Sequence, residues 1–193
     1  MTHSDRALVR SIDILASLVL LMVAGLPMLG IAVAIRLHDG DPALFRQQRV
    51  GRSLGPFTIY KFRTMRHEPA AAVSRTSVST DRGDPRISPL GRFLRPSHLD
   101  ELPQLFNVLK GDMSLVGVRP DTPVQESDYP ATHWAARHRF RPGLTGPSQI
   151  LRGDVTMSMR IAAEQEWIAR ASLGLYLVIL ARTVGKVLSN SSN

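Results

Sequence analysis

The longest apolar stretch of the chain runs from Ile14 to Ile35, 22 residues without a charged side chain. As an α-helix this stretch would be about 33 Å long at ~1.5 Å per residue, which is enough to cross the hydrocarbon core of a bilayer. Pro27 lies past its middle, and a proline inside a helix removes a backbone hydrogen bond and favours a bend. We therefore expect residues 1–38 to form a membrane-inserted helix with a break at Pro27.

Basic residues flank this segment on both sides, with Arg6 and Arg10 before it and Arg36 after it. Lys and Arg near the ends of membrane helices favour the cytoplasmic side. The pattern therefore favours a re-entrant helix, which has both ends on the cytoplasmic side, over the alternative of a helix that spans the bilayer. A cleaved signal peptide and a buried core helix fit less well, because their apolar runs are usually shorter.

Residues 39–193 predict one compact, mainly helical α+β domain with at most a small sheet. The alternating, β-rich run Phe57–Phe62 predicts a strand, and the Ser/Thr/Pro-rich residues 67–89 predict a long loop. The run Leu173–Leu188 is apolar but contains two basic residues, which is typical of a helix lying in a membrane interface. Apolar residues at helical spacing predict three further helices, at 90–95, 100–110 and 157–171.

Composition narrows the classes of partner. The chain has 24 Lys and Arg against 16 Asp and Glu, a formal net charge of +8, which suits nucleic acid, anionic lipid head groups or phosphate-bearing substrates. It has no cysteine, which excludes disulfides, thiolate metal sites and cysteine nucleophiles. Aromatic residues make up 6%, few for a protein that stacks bases. A non-catalytic basic module on a membrane surface or nucleic acid is one hypothesis, but it gives the apolar segment no role.

The candidate chemistry lies in the string RPSHLDELPQLFNVLKGDMSLVGVRP, residues 95–120. Ser97 followed three residues later by Asp100 matches a helix-start signal, which predicts that Asp100 and Glu101 lie in the first turn of a helix. The positive end of the helix dipole stabilises anions there, so we expect the Asp100 carboxylate to stay ionised. The two carboxylates would bracket a common cation or act on different sides of one substrate, because neighbouring helix positions diverge. A plain acidic first turn is the simpler interpretation of this motif alone.

Five segments together resemble the bacterial sugar transferase family: FRQQRVG (45–51), YKFRTM (60–65), DPRISPLGRFLR (84–95), LDELPQLFNVLKGDMSLVGVRP (99–120) and RPGLTG (141–146). These are the monotopic phosphoglycosyl transferases, which start glycoconjugate assembly on a polyprenyl phosphate. The resemblance covers nearly the whole chain in order, and LDELPQL with NVLKGDMS is its most specific part. The chain has the size of the family's minimal catalytic unit.

The resemblance implies a reaction in two steps. Asp100 would attack the sugar-proximal phosphate of a UDP-sugar, release UMP and form a phosphosugar-aspartyl intermediate. A polyprenyl phosphate such as undecaprenyl phosphate would then take the phosphosugar, as the first membrane step of exopolysaccharide or other glycoconjugate assembly. Mg²⁺ would be the cofactor, with Asp100 at the metal and Glu101 as the second catalytic residue, its partner at the metal or at the acceptor. The enzyme would act on the cytoplasmic face of the bacterial inner membrane.

Basic residues would hold the phosphates. Arg95 and Arg119 match family positions that contact phosphate or nucleotide, a role that suits the planar fork of arginine. Lys61 and Arg63, on the predicted strand, either hold a phosphate or face lipid head groups. The expected partners are a UDP-sugar, a polyprenyl phosphate and the lipid bilayer, and not nucleic acid. Neither the sugar nor the oligomeric state can be predicted from the sequence.

Overall fold

The computed structural model describes residues 1–40, 42–66 and 84–190. This part of the chain is mostly helical, as the sequence predicts, and contains two small sheets where at most one was expected. Strands β1 (Leu44–Val50) and β2 (Pro56–Phe62) form one two-stranded sheet. Strands β3 (Ser114–Val116) and β4 (Gly143–Thr145) pair in parallel to form the other.

The described residues form six α-helices: α1 (His3–Asp39), α2 (Pro89–Leu94), α3 (Gln104–Lys110), α4 (Ala131–Arg137), α5 (Met157–Arg170) and α6 (Leu173–Asn190). Three short 3₁₀ turns lie between them, at Arg52–Leu54, Leu99–Glu101 and Pro123–Asp128. The strand predicted at 57–62 and the helices predicted at 90–95, 157–171 and 173–188 are confirmed. Of the loop predicted at 67–89, residues 67–83 lie outside the described residues.

Helix α1 is the one described helix that is long and apolar enough to cross a membrane, with a mean hydropathy of 2.6 in its most apolar part. It continues through Pro27, so the break expected there does not interrupt the helix. Only 6% of that apolar part is buried, and side chains such as Met22 and Leu26 are 76% and 80% exposed. A core helix of a soluble domain would be mostly buried, so this exposure argues against that alternative and for a lipid environment.

The chain divides into two compact units. The first contains Met1–Val23, Arg46–Tyr60 and Gln104–Asn193, and the second contains Ala24–Phe45 and Lys61–Pro103. In the first unit, α3 and α6 pack on the β3–β4 sheet, and α4 packs on α5. In the second unit, the buried apolar side chains are those of Ile35, Ala43, Phe62, Ile87 and Leu94, with Met28 at the edge of burial.

The polar beginning of α1 is fixed to the first unit by long-range hydrogen bonds. The Arg10 guanidinium donates to the carbonyl oxygens of Val108 and Leu109, both at 2.6 Å, at the C-terminal end of α3. Asp13 is 1% exposed and accepts hydrogen bonds from the Leu115 N–H at 2.8 Å and the Tyr176 hydroxyl at 2.8 Å. The apolar stretch of α1 therefore begins immediately after two residues that are anchored on this unit.

Candidate active site

Arg95 follows α2, and this helix is fixed closely against the segment after β2. The Ser88 hydroxyl caps α2 by accepting the Gly91 N–H at 3.0 Å, and the Ser88 N–H donates to the Thr64 carbonyl at 3.0 Å. A Cβ on Gly91 would overlap the backbone of Thr64, so glycine is required for this approach. The helix that precedes Asp100 and Glu101 is therefore fixed in place.

The helix start predicted at Ser97 is wrong. Ser97 caps no N-terminus, because its hydroxyl donates to the carbonyl oxygens of Phe93 and Leu94, both at 3.0 Å, at the end of α2. His98 then turns the chain with a left-handed backbone (φ 56°), and Leu99–Glu101 forms a separate 3₁₀ turn before α3 begins at Gln104. The acidic pair therefore lies in a tight turn between two helices.

The pKa of Asp100 is raised to about 6, first by burial and second by the neighbouring Glu101 carboxylate. The positive charges of Lys61, His98 and Arg95 act in the opposite direction and do not compensate. The expected stabilisation of this charge by a helix dipole is therefore wrong in direction, although the expectation that Asp100 is ionised at neutral pH holds. A pKa near 6 still leaves Asp100 mostly ionised at pH 7. Such a carboxylate is available as a nucleophile and is poorly stabilised in the free protein.

Glu101 has a direct partner in the Lys61 ammonium, whose Nζ lies 2.5 Å from its Oε1. Both side chains are only about one-fifth exposed. Lys61 therefore belongs to the surroundings of the acidic pair. Arg63, two residues further on, is 8% exposed, and its N–H donates to the Ala43 carbonyl at 2.8 Å. Its side chain is buried and does not face an open surface.

Arg95 has an unused donor. Its Nη1 is buried and has no hydrogen-bond partner among the residues that the structure describes. Its charge lowers the pKa of Asp100 and also contributes to the low pKa of Asp84, which is about 2, mainly because the Arg86 side chain donates to that carboxylate. A buried N–H without an acceptor is unfavourable, and an incoming phosphate oxygen would satisfy it.

Arg119 lies in the first unit, at the turn that follows β3. Its side chain is exposed, whereas its carbonyl oxygen accepts a hydrogen bond from Arg137 Nη2 at 2.9 Å. Five of the predicted site residues belong to the second unit: Lys61, Arg63, Arg95, Asp100 and Glu101. The charges of Glu101, Lys61 and Arg95 shift the pKa of Asp100. Arg119 belongs to the first unit, where its backbone is fixed by the hydrogen bond from Arg137.

A family model described as bacterial sugar transferase matches residues 4–190. The chain belongs to this family. It is 42% identical to a UDP-glucose:undecaprenyl-phosphate glucose-1-phosphate transferase of Caulobacter vibrioides, with 95% of the chain and 70% of the relative covered. It is 37% identical to an undecaprenyl-phosphate galactose phosphotransferase of Salmonella typhimurium (96% and 41% covered) and 37% identical to a UDP-N-acetylgalactosamine-undecaprenyl-phosphate N-acetylgalactosaminephosphotransferase of Aeromonas hydrophila (93% and 43% covered). The chain thus spans less than half the length of the latter two.

The acidic pair of this sugar transferase, Asp100 and Glu101, offers the carboxylate oxygens that a divalent cation such as Mg²⁺ prefers. The described residues contain no group of three or more His, Asp or Glu side chains that could hold a metal by themselves. Mg²⁺, however, commonly binds through one or two carboxylates and completes its shell with substrate phosphates and water. The repulsion by which Glu101 raises the pKa of Asp100 would be relieved by such a cation.

A second cluster of charges in this sugar transferase is not predicted by the sequence analysis. Asp121, Arg137 and Glu164 are each at most 1% exposed, and Arg160 completes the cluster. Burial alone would raise the pKa of Asp121, but the two guanidinium groups outweigh it and lower the pKa. The available signal was Glu164, a charged residue three positions before the buried Trp167 and thus on the buried face of α5.

Proposed function

We propose that this sugar transferase moves a sugar 1-phosphate from a UDP-sugar to a membrane polyprenyl phosphate, undecaprenyl phosphate, and releases UMP. The observation that carries the proposal is Asp100, a carboxylate with a pKa of about 6 that accepts no hydrogen bond from the described part of the chain. The names of the relatives, which act on undecaprenyl phosphate, support the same reaction. They differ in the sugar, so the sugar stays open.

In the first step, an oxygen of ionised Asp100 attacks the phosphorus next to the sugar. A bond forms between this oxygen and phosphorus, the bond to the bridging oxygen breaks, and UMP leaves with the electron pair. In the second step, a phosphate oxygen of the polyprenyl phosphate attacks the same phosphorus and releases the Asp100 carboxylate. Arg95 supplies a donor to the phosphate oxygens, and Lys61 balances the charge of Glu101. Mg²⁺, held by Asp100 and Glu101 when bound, would neutralise charge on the diphosphate.

The anchoring of α1 supports a re-entrant membrane helix. Arg10 and Asp13, before the apolar stretch, belong to the same compact unit as Arg49 and Val50, after it. If the helix spanned the bilayer, the chain between Arg36 and Arg46 would have to cross back through it. That segment contains charged residues and would leave backbone groups unsatisfied in lipid. We therefore propose that both ends of α1 lie on the cytoplasmic side, with the bend at Pro27.

The C-terminal helix supports the same location. Along α6, Tyr176 and Ile179 are buried, whereas Leu177, Val184 and Val187 are about half exposed. An amphipathic helix with an uncovered apolar side is suited to the interface of a membrane. We propose that α6 lies in the cytoplasmic face of the bacterial inner membrane.

The reaction is tested with the purified protein in detergent or lipid discs, with Mg²⁺, undecaprenyl phosphate and a panel of UDP-sugars. UMP release with at least one sugar is expected. Without undecaprenyl phosphate, intact-protein mass should increase by one phosphosugar, and peptide mapping should assign it to Asp100. UMP release without an adduct on Asp100 would leave the overall reaction standing and refute the covalent step. An absence of UMP release across the panel would refute the proposed activity.

The topology is tested by cysteine labelling, which is direct because the chain has no native cysteine. Ser4→Cys and Ser53→Cys introduce single thiols at exposed positions on either side of the apolar stretch. A membrane-impermeant reagent added to spheroplasts should label neither, and both should react after the inner membrane is permeabilised. Labelling of position 4 alone from outside would show that the helix spans the membrane.

A further inference from the structure

The turn that carries Arg119 is held by its carbonyl groups. The Arg119 carbonyl accepts from Arg137 Nη2 at 2.9 Å, the Pro120 carbonyl from Arg49 Nη1 at 3.1 Å, and the Asp121 carbonyl from the Val50 N–H at 2.9 Å. Three consecutive acceptors are thus satisfied by groups distant in sequence. The backbone of the turn is fixed, while the Arg119 side chain extends into solvent.

Arg137 is the connection between this turn and the buried charges, and it is fully buried. Its Nε donates to Glu164 Oε2 at 2.9 Å, and its Nη1 donates to Asp121 Oδ2 at 2.7 Å. Its Nη2 reaches both the Arg119 carbonyl and Glu164 Oε1, the latter at 3.1 Å. The two carboxylates therefore fix the plane of the guanidinium, and only one of its hydrogen bonds goes to the backbone.

Arg160 contacts the same two carboxylates as Arg137 but makes no hydrogen bond to the Arg119 carbonyl, and its side chain is 14% exposed. Its Nη2 donates to both Asp121 oxygens at 2.8 and 2.7 Å, and its Nε donates to Glu164 Oε1 at 3.1 Å. Its guanidinium also lies over the Tyr129 ring, 5.4 Å from the centroid, as that of Arg137 does at 4.6 Å. The protein therefore contains two arginines on the same carboxylates, of which one holds the Arg119 backbone.

We propose that Arg137 is a positioning residue for nucleotide binding: clamped by Asp121 and Glu164, it fixes the Arg119 carbonyl and thereby the direction in which the Arg119 guanidinium is presented to the UDP-sugar. The inference rests on the proposed reaction and on the role that the family resemblance implies for Arg119, that of a phosphate or nucleotide contact. A lysine at position 137 would keep the charge but could not reach both carboxylates and the carbonyl at once, because an ammonium is a point charge without the planar fork.

The test compares Arg137→Lys with Arg160→Lys by UMP release, with UDP-glucose as the probe, and by the melting temperature of each variant. Both substitutions weaken contacts to the same carboxylates and should lower the melting temperature. Arg137→Lys should also raise KM about 10-fold with a much smaller change in kcat, as expected for one hydrogen bond to a charged group. Arg160→Lys should leave KM within about twofold. A KM increase in both variants that follows their loss of stability would overturn the proposal.

A double-mutant cycle with Arg119→Ala separates positioning from general damage. If Arg137 acts through Arg119, Arg137→Lys should add little to the KM increase of Arg119→Ala, because the group it positions is already gone. Additive increases would refute the inference. An unchanged KM in Arg119→Ala would also refute the inference. It would not refute the proposed reaction, provided that the wild-type protein releases UMP.

Two further measurements keep the test decisive. If the wild-type protein releases no UMP from UDP-glucose but does so from another UDP-sugar of the panel, that sugar becomes the probe. If it releases no UMP with any sugar of the panel, the proposed function fails, and titration calorimetry of UDP-glucose binding to the same variants replaces KM. If Arg137→Lys does not fold, Arg49→Met takes its place, because Arg49 holds the next carbonyl and is only partly buried. A several-fold increase in KM or Kd is then expected, and an unchanged value would contradict the positioning role of the turn.

Discussion

Asp100 and Asp121 show how differently two aspartates of one chain can be arranged. Asp121 is the more deeply buried of the two, yet its pKa is lowered, whereas the pKa of the partly exposed Asp100 is raised to about 6. Burial alone predicts the opposite order. The difference comes from direct partners.

Asp121 receives hydrogen bonds from the guanidinium groups of Arg137 and Arg160 and from the Tyr129 hydroxyl, at 2.6 to 2.8 Å. Asp100 interacts with the positive charges of its surroundings only through space, and Lys61 forms its ion pair with Glu101 instead. The first carboxylate is satisfied and serves the fold. The second lies in an unfavourable environment, which a phosphate-bound cation would relieve and which fits the proposed role of Asp100.

The largest expected effect follows from removing the unsatisfied carboxylate. Asp100→Ala should reduce UMP release to background, because the nucleophile is lost. Asp100→Asn should do the same, with mass spectrometry needed to exclude deamidation back to aspartate. Glu101→Gln is the matched control at the neighbouring position, since it should still form the phosphosugar adduct. Normal turnover in Asp100→Ala would refute the mechanism.

Metal removal should affect the two carboxylate sites unequally. EDTA should lower UMP release by about 10³-fold or more and added Mg²⁺ should restore it, because the charge of the diphosphate is otherwise uncompensated. The melting temperature of the free protein should not change, since the buried cluster is neutralised by arginines. Full activity in the chelator would show that the acidic pair works without a cation.

The two aspartates should also differ in their contribution to stability. Asp121→Asn leaves the buried Arg137 guanidinium and the partly buried Arg160 guanidinium with fewer acceptors and should lower the free energy of unfolding by about 3–5 kcal/mol. Asp100→Asn removes a poorly stabilised charge and should raise it at pH 7.5, on the order of 1–3 kcal/mol at 1.36 kcal/mol per pKa unit. The raised pKa determines the sign of this change. The folded protein holds the Asp100 proton more tightly than the unfolded chain does, so the stabilisation present at low pH is lost as pH rises through about 6. Urea unfolding in detergent measures both, and a loss of stability in Asp100→Asn would contradict this account.

The sequence predicts the parts of this comparison that depend on neighbouring residues. Helical periodicity locates α2, α5 and α6, and the family resemblance locates Asp100 and Glu101. The prediction of a helix start fails at Ser97. A serine hydroxyl can either cap the next helix or donate back to the previous one, and only the structure distinguishes the two.

The raised pKa of Asp100 and the cluster around Asp121 depend on burial and on contacts between distant segments. Arg137 and Glu164 are 27 residues apart, and no local pattern pairs them. The charged residue on the buried face of α5 indicates only that a partner must exist.

The smallest predicted effect tests the charges around Asp100 one at a time, through the pH dependence of adduct formation. The measurement uses a low UDP-sugar concentration, at which the rate reports the protein before substrate and cation bind. The rate of adduct formation without polyprenyl phosphate should then rise with pH through about 6, because Asp100 must be ionised to attack. Omitting the acceptor matters, since its own phosphate titrates near pH 6.

Glu101 raises the pKa of Asp100 and Lys61 lowers it, so their removal should move this midpoint in opposite directions. Glu101→Gln should lower it and Lys61→Met should raise it, each by less than about one pH unit, since both charges act less strongly than burial does. Loss of one member of the Lys61–Glu101 pair also frees the charge of the other, which adds to each shift in the same direction. Arg92→Met, which removes an exposed positive charge from α2, is the control and should leave the midpoint unchanged. Shifts of equal sign in Glu101→Gln and Lys61→Met would mean that the midpoint does not report Asp100.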